Sequence, residues 1–144
     1  VKGLRIVDGY GGVGTFSLRM LRDGAAHVTL VESSPTACAD ARANLRRNGF
    51  ENSEVIEQAF GTIVMPPCDI MIVDPPRAGL QEIGAKAVIK NGAPRVLLVS
   101  CSQDSLKRDL DLLSSTYRVT AMRLCDLFPH TEHIETITML EKKA

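Results

Sequence analysis

The chain has 144 residues, of which 44% are hydrophobic and 24% charged, the proportions of one ordinary globular domain. It contains no stretch of about 20 apolar residues, which excludes a membrane-spanning helix and gives no reason to expect a membrane partner. Its formal net charge is zero, so composition gives no support to nucleic-acid binding by this chain alone.

The cysteine and histidine spacing bears on metals and on the cellular compartment. Four cysteines stand without C-x-x-C spacing, at Cys38, Cys68, Cys101 and Cys125. This pattern indicates reduced thiols in a cytoplasmic protein, not a disulfide framework or a zinc site. His130 and His133 are spaced like a metal-binding pair, but no third ligand stands at a recognisable spacing. We therefore expect no bound metal.

Short apolar runs alternate with helical patterns, which predicts a parallel sheet covered by helices. The predicted strands are Leu4–Asp8, His27–Glu32, Ser53–Gln58, Ile70–Asp74 and Arg95–Ser100. The predicted helices are Phe16–Arg22, Ser34–Asn48, Gln81–Lys90 and Ser102–Ser115. For the second helix, Ser33 or Ser34 can be the N-cap and Gly49 the stop.

The end of the chain has a different pattern. Two strands, Tyr117–Leu124 and His133–Leu140, follow each other without a helix and predict an antiparallel hairpin with a loop from Cys125 to Glu132. A parallel sheet closed by such a hairpin is more typical of class I methyltransferases than of dehydrogenases. The predicted fold is therefore a Rossmann-like α/β fold, mostly parallel, that ends in this hairpin.

A glycine-rich segment joins the first strand to the first helix, and its sequence is Asp8-Gly9-Tyr10-Gly11-Gly12-Val13-Gly14-Thr15-Phe16. Glycines such as Gly12 and Gly14 let a ligand approach the backbone, and the helix N-terminus adds partial positive charge. Glu32 ends the next strand, where a carboxylate can accept the hydroxyls of a ribose. Asp8 favours S-adenosylmethionine, whose amino-acid end carries an ammonium group. The G-x-G-x-x-G match leaves a dinucleotide cofactor, or a turn without a ligand, as alternatives.

The segment Asp74-Pro75-Pro76-Arg77 follows the fourth strand, at the edge where α/β sheets bind ligands. Its two prolines make a rigid lip. Methyltransferases of adenine and cytosine amino groups carry a similar motif with an aromatic residue at the position of Arg77. Arg77 therefore argues against amino-group chemistry, and a stiff turn with a surface arginine is the alternative.

Cys101 and Glu135 form a candidate catalytic pair. Cys101 stands at the exit of the fifth strand, before a helix whose N-terminus favours a thiolate. Strand alternation puts Glu135 on the face of its strand that also carries Ile137. A thiol and a carboxylate at adjacent strand ends can serve as nucleophile and base. The alternatives are an inert buried cysteine and a solvated carboxylate.

Together, four segments resemble the catalytic domain of the RNA uracil-C5 methyltransferases, which make 5-methyluridine in tRNA or 23S rRNA. The segments run from Asp8 to Leu18, from Asp74 to Gly79, from Val99 to Cys101 and from Phe128 to Thr136. The resemblance implies S-adenosylmethionine as cofactor and RNA as substrate. It also implies that Cys101 adds to uracil C6, that C5 then takes the methyl group, and that Glu135 removes the C5 proton. The positions implied to contact the cofactor or the uracil are Tyr10, Thr15, Glu32 and Asp74.

Some positions depart from the family pattern. Gly11 stands where a cysteine is usual, and Ser102-Gln103 stands where Asn-Pro is usual. The polar residue that is usual after the third strand is replaced around Ala59. The family also carries an N-terminal RNA-binding barrel and a segment that completes the cofactor pocket, so residues 1–144 are expected to be one catalytic domain of a larger protein. The alternatives are a methyltransferase for another atom or a small molecule, and a non-catalytic cofactor-binding or RNA-binding module.

Overall fold

The computed structural model describes residues 1–126 and 134–144, which form seven strands and four helices. The strands are β1 (Arg5–Gly9), β2 (His27–Glu32), β3 (Ser53–Glu57), β4 (Ile70–Val73), β5 (Arg95–Ser100), β6 (Tyr117–Cys125) and β7 (Glu135–Lys142). The helices are α1 (Thr15–Arg22), α2 (Pro35–Arg47), α3 (Gln81–Asn91) and α4 (Gln103–Leu113). Every predicted strand and helix is present, and its ends lie within about two residues of the predicted ones.

The strands form one sheet in the order β3-β2-β1-β4-β5-β7-β6. The first five strands pair in parallel, and β7 pairs antiparallel with both β5 and β6. The predicted mostly parallel sheet with a closing antiparallel hairpin is therefore confirmed.

The two faces of the sheet carry separate apolar clusters, because side chains alternate along each strand. On one face, Ile6 and Val28 pack with Leu21 of α1 and Leu45 of α2. On the other face, strand residues such as Leu98 pack with residues of α3 and α4, among them Val88, Leu106 and Leu113. This arrangement leaves the carboxyl ends of the parallel strands free to carry polar groups.

The predicted cap of the second helix is also confirmed. Ser34 is the N-cap of α2, and its side chain accepts a hydrogen bond from the amide of Ala37. Pro35 occupies the first position of the helix, where its missing N–H has no cost. Gly49 follows the helix with a φ of 71°, a conformation that favours glycine.

The hairpin differs from prediction in one respect. Cys125, predicted to begin the loop, is the last residue of β6 and pairs with Glu135 of β7. The prediction ended the strand one residue too early, because Cys125 belongs to the strand only through its pairing with Glu135 across the hairpin. His130 and His133, the predicted histidine pair, lie outside the described residues.

Within residues 1–126 and 134–144, no helix is long and apolar enough to cross a membrane. The same residues contain no group of three or more His, Cys, Asp or Glu side chains that could hold a metal ion.

Candidate active site

The polar residues that were predicted to be functional gather at one edge of the sheet. The carboxyl ends of β1, β2, β4 and β5 lie there, and the antiparallel β7 begins there. The amide of Asp74 donates a hydrogen bond to the carbonyl oxygen of Gly9 at 3.3 Å, which joins the end of β4 to the end of β1. Residues of five separate strand ends are thereby brought to one edge: Asp8, Glu32, Asp74, Cys101 and Glu135.

Glu32 holds the glycine-rich loop against the end of β2. Its Oε2 accepts the amide of Gly12 at 3.0 Å, and its Oε1 accepts the amides of Ser33 and Ser34, each at 2.8 Å. Gly14 is the N-cap of α1 with a φ of 90°, and Thr15 is the first residue of that helix. The half-buried Glu32 carboxylate therefore fixes the loop and still faces the surface, where a ligand hydroxyl could reach it.

The packing around Gly11 explains why a glycine stands where the resembled family usually has cysteine. A Cβ atom built on Gly11 would lie 2.5 Å from Cγ of Leu30, whose side chain is completely buried. Leu30 therefore fills the space that a side chain at position 11 would need.

Asp8 lies beneath the loop and is 1% exposed. Its Oδ2 accepts hydrogen bonds from the amide and the hydroxyl of Ser17, in the first turn of α1. Burial raises the pKa of Asp8 from 3.8 to about 6, against the lowering effect of the Ser17 hydrogen bonds. Its direct contact with a cofactor stays a prediction, because the carboxylate is covered and is used to position α1.

Tyr10 and Phe60 form the aromatic wall of a pocket of about 220 Å³ that Glu32 also lines. The ring centroids are 4.8 Å apart, and Tyr10 adopts a φ of 60°. Burial raises the pKa of Tyr10 to about 12, so its phenol is neutral at physiological pH. Sequence reasoning missed Phe60. The sequence carries no local signal for it, because its contact with Gly9, where a Cβ would run into the Phe60 ring, appears only in the folded chain.

The segment after Asp74 is fixed by a second residue that sequence reasoning missed, Asp109 of α4. Asp109 is 1% exposed, and its Oδ2 accepts the amide of Leu80 at 2.8 Å, at the start of α3. A Cβ on Gly79 would lie 2.5 Å from the same oxygen. Leu80 has no side-chain cap of its own, so Asp109 supplies the missing acceptor from the neighbouring helix.

Cys101 and Glu135 extend from paired antiparallel strands. The β5–β7 ladder ends with Ser100 opposite Thr136, and Cys101 and Glu135 are the next residues outward. Continuing the register by one residue puts these two opposite each other on the same face of the sheet. Both are half-buried, and the charge of Glu135 adds to burial in raising the pKa of Asp74. A thiol and two carboxyl groups are thus close to one another.

The residues after Cys101 still form the N-terminus of a helix, although Ser102-Gln103 replaces the usual Asn-Pro. Ser102 is the N-cap of α4 and accepts a hydrogen bond from the amide of Ser105. Serine and asparagine are both favourable N-caps, so this substitution preserves the function of the position in the helix. Gln103 takes the first helical position, where proline is otherwise common.

Among solved structures, the chain is similar to the tRNA (uracil-54, C5)-methyltransferase of Pyrococcus abyssi in complex with S-adenosyl-L-homocysteine. The two are 33% identical with a TM-score of 0.89, over 97% of this chain and 35% of that chain. The chain also shares its fold with a putative RNA methyltransferase of Pyrococcus horikoshii, with 19% identity and a TM-score of 0.80. The match covers 100% of this chain and 77% of that chain. The fold is that of the class I S-adenosylmethionine-dependent methyltransferases.

Curated relatives agree over nearly the whole chain. An uncharacterized RNA methyltransferase of Bacillus cereus is 38% identical over 96% of this chain and 31% of its own length. The 23S rRNA (uracil(1939)-C(5))-methyltransferase RlmD of Marinomonas sp. is 37% identical over 96% of this chain and 32% of its own length. The chain thus spans about a third of the length of these relatives.

A family model described as tRNA (Uracil-5-)-methyltransferase matches residues 66–143, which is more than half of the chain. The matched range begins before β4 and includes Asp74, Cys101 and Glu135. The chain belongs to the tRNA (Uracil-5-)-methyltransferase family.

Proposed function

We propose that this chain is the catalytic part of an enzyme that methylates C5 of uridine in RNA, with S-adenosylmethionine as methyl donor. The observation that carries the proposal is the pairing of β5 with β7 up to Ser100 and Thr136. Continuing its register by one residue sets Cys101 opposite Glu135 at the edge of the sheet. Family membership and the names of the relatives, which act on tRNA or 23S rRNA uracil, agree with it.

The residues at this edge fit the proposed cofactor. Glu32 offers carboxylate oxygens beside the pocket of Tyr10 and Phe60, as a ribose with two hydroxyls requires. Burial, and to a smaller extent the charge of Asp74, raises the pKa of Asp8. A ligand with a positive sulfonium and ammonium would offset the cost of holding these acids together. Gly12 belongs to the adjoining loop, and Gly14 and Thr15 are the N-cap and the first residue of α1.

The chemistry assigned to the chain uses two side chains. Cys101 Sγ bonds to uracil C6, and the C5–C6 double-bond electrons move to the carbonyl oxygen at C4, which makes C5 nucleophilic. Bound S-adenosylmethionine would supply an electrophilic methyl group, and C5 takes this group as the methyl carbon–sulfur bond breaks and S-adenosyl-L-homocysteine is left. Glu135 then takes the C5 proton, the double bond reforms, and the thiolate leaves C6.

The target base has to leave its stack to reach these side chains, at a cost of a few kcal/mol. A chain with zero net charge offers little general attraction for phosphates. We therefore propose that the basic surface for RNA lies mainly outside residues 1–144. Because the cysteine spacing indicates reduced thiols, we also propose that the protein works in the cytoplasm.

The test uses the full-length protein, S-adenosylmethionine with a labelled methyl group, and total RNA, followed by nucleoside analysis. We expect label in 5-methyluridine, and none with Cys101→Ala. Label in another nucleoside or in a small molecule would contradict the proposal, and cofactor binding without any transfer would favour a non-catalytic module.

A further inference from the structure

The first residue of α4 is hydrogen-bonded to the second residue of β7. Gln103 Nε2 donates to Thr136 Oγ1 at 2.9 Å, across 33 residues of sequence. The backbone of Gln103 starts the helix on the surface, whereas Thr136 is completely buried. The contact therefore ties a surface helix end to a buried strand end.

This hydrogen bond lies beside both proposed catalytic residues. Gln103 is two positions after Cys101, and Thr136 is one position after Glu135. The backbone ladder between β5 and β7 ends at Ser100 and Thr136, so Cys101 and Glu135 lie just beyond it. The Gln103–Thr136 bond thus links the two segments at the point where the backbone ladder stops linking them.

The bond is not needed to cap the helix. Ser102 already caps α4, and the family's usual proline at position 103 would have no side chain able to make such a bond. Fixing a glutamine side chain loses rotamer freedom comparable to the net gain from one neutral hydrogen bond. Its net contribution to folding is therefore small.

Thr136 differs from the neighbouring buried hydroxyl residues in its side-chain hydrogen bonding. Ser100, Thr136 and Thr138 are all buried on the face of the sheet that packs against α4. Within the described part of the chain, the side-chain oxygens of Ser100 and Thr138 have no hydrogen-bond partner. Thr136 has one, and that partner is Gln103.

We propose that Gln103 and Thr136 are a positioning pair that holds Cys101 and Glu135 at the separation needed to act on one uracil ring. The inference rests on the proposed function. Misplacing a reacting group by about 1 Å can cost about 10²-fold in rate. Loss of the bond therefore lowers the rate of the chemical step and leaves binding of RNA and cofactor unchanged.

The experiment measures methyl transfer by the full-length protein to the RNA that the wild type methylates. Thr136→Val and Gln103→Ala remove the bond, Thr136→Ser keeps the hydroxyl, and Thr138→Val is the matched control two residues along the same strand face. We expect kcat to fall by about 10-fold or more in the first two variants, with KM for RNA and for S-adenosylmethionine within about 2-fold of wild type. The double variant should be no slower than either single variant, because both remove one interaction.

Three results would overturn the positioning role. The first is that Thr136→Val and Thr138→Val have the same kcat. The second is that the double variant loses kcat by the product of the two single losses. The third is that the loss of rate matches the loss of folded protein seen in melting curves. No 5-methyluridine with wild type would instead overturn the proposed function, and this inference with it. Normal wild-type methylation with unaffected variants overturns the inference alone.

Discussion

Asp8 and Ser17 join the end of β1 to the first turn of α1. Asp8 Oδ2 accepts the Ser17 amide at 3.0 Å and the Ser17 hydroxyl at 2.6 Å. The other oxygen of the same carboxyl group, Oδ1, is buried and has no hydrogen-bond partner among the described residues. One buried carboxyl group therefore positions the helix that follows the glycine-rich loop, and does so with half of its acceptors unused.

Asp8 should make stability depend on pH in a defined direction. Its pKa is raised from 3.8 to about 6 in the folded chain. The folded state therefore binds more protons than the unfolded state between about pH 4 and pH 6, and the stability due to this group falls as pH rises through that window. Two pKa units correspond to about 3 kcal/mol as an upper value.

Asp8→Asn tests this dependence, because asparagine can still accept from Ser17 and cannot titrate. Urea unfolding of the two chains from pH 4 to pH 7 should show wild type losing up to about 3 kcal/mol relative to the variant. A difference that stays constant across this range, or that changes in the opposite direction, would contradict the assigned pKa shift.

Glu32→Gln should weaken binding of S-adenosylmethionine by about 10-fold or more, because a charged acceptor for the ribose hydroxyls is lost. Calorimetric titration of the full-length protein measures the dissociation constant. The control is Glu57→Gln, since Glu57 also ends a strand and forms an exposed ion pair with Arg42. Equal affinities for the two variants would remove Glu32 from the cofactor site.

Asp109→Ala should lower the free energy of unfolding by about 1–3 kcal/mol, since the amide of Leu80 loses its acceptor at the start of α3. Asp109→Asn should lose less, because an amide oxygen can still accept. Asp111→Ala is the matched control, an exposed acid two residues along the same helix. Urea unfolding that gave Asp109→Ala and Asp111→Ala the same stability would contradict the capping role.

The sequence was sufficient to predict the parts of the fold that depend on local pattern. Apolar runs predicted the strands, and Ser34, Pro35 and Gly49 predicted both ends of α2, because capping and turn preferences act over a few residues. The glycine-rich loop and Glu32 could also be found, since both stand at strand ends in an alternating pattern.

Residues that act through long-range contacts could not be found in this way. Asp109 looks like an ordinary helix acid, and only the packing of α4 beside α3 brings it to Leu80. Phe60 follows β3 but reaches Gly9 at the end of β1 and Tyr10 just after it. Cys125 was predicted to be in a loop, because only its cross-strand pairing with Glu135 at the inner end of the hairpin extends β6 to this residue.

Glu135→Gln should slow turnover of the full-length enzyme by roughly 10²–10⁴-fold, because removal of the C5 proton loses its base. The step before it does not need this carboxylate, so a covalent RNA–protein complex should accumulate and be visible on a denaturing gel. Glu141→Gln is the control on the same strand, where Glu141 forms an ion pair with Arg118. Normal turnover by Glu135→Gln would exclude Glu135 as the base.

Two cysteines lie near Glu135, and they allow the assignment of the nucleophile to be tested. Cys125 pairs with Glu135 across β6 and β7, and Cys101 is next in register across β5 and β7. Both thiols are half-buried, so exposure alone does not distinguish them. The assignment to Cys101 rests on its position before the N-terminus of α4, a setting that Cys125 lacks.

The most direct measurement uses RNA that carries 5-fluorouridine, because fluorine at C5 leaves no proton for Glu135 to remove and the adduct cannot resolve. The full-length protein is incubated with this RNA and S-adenosylmethionine, and the crosslinked peptide is identified by mass spectrometry. We predict one adduct, on Cys101, that is lost in Cys101→Ala and kept in Cys125→Ala. An adduct on Cys125, or none in a preparation that methylates normal RNA, would contradict the proposed mechanism.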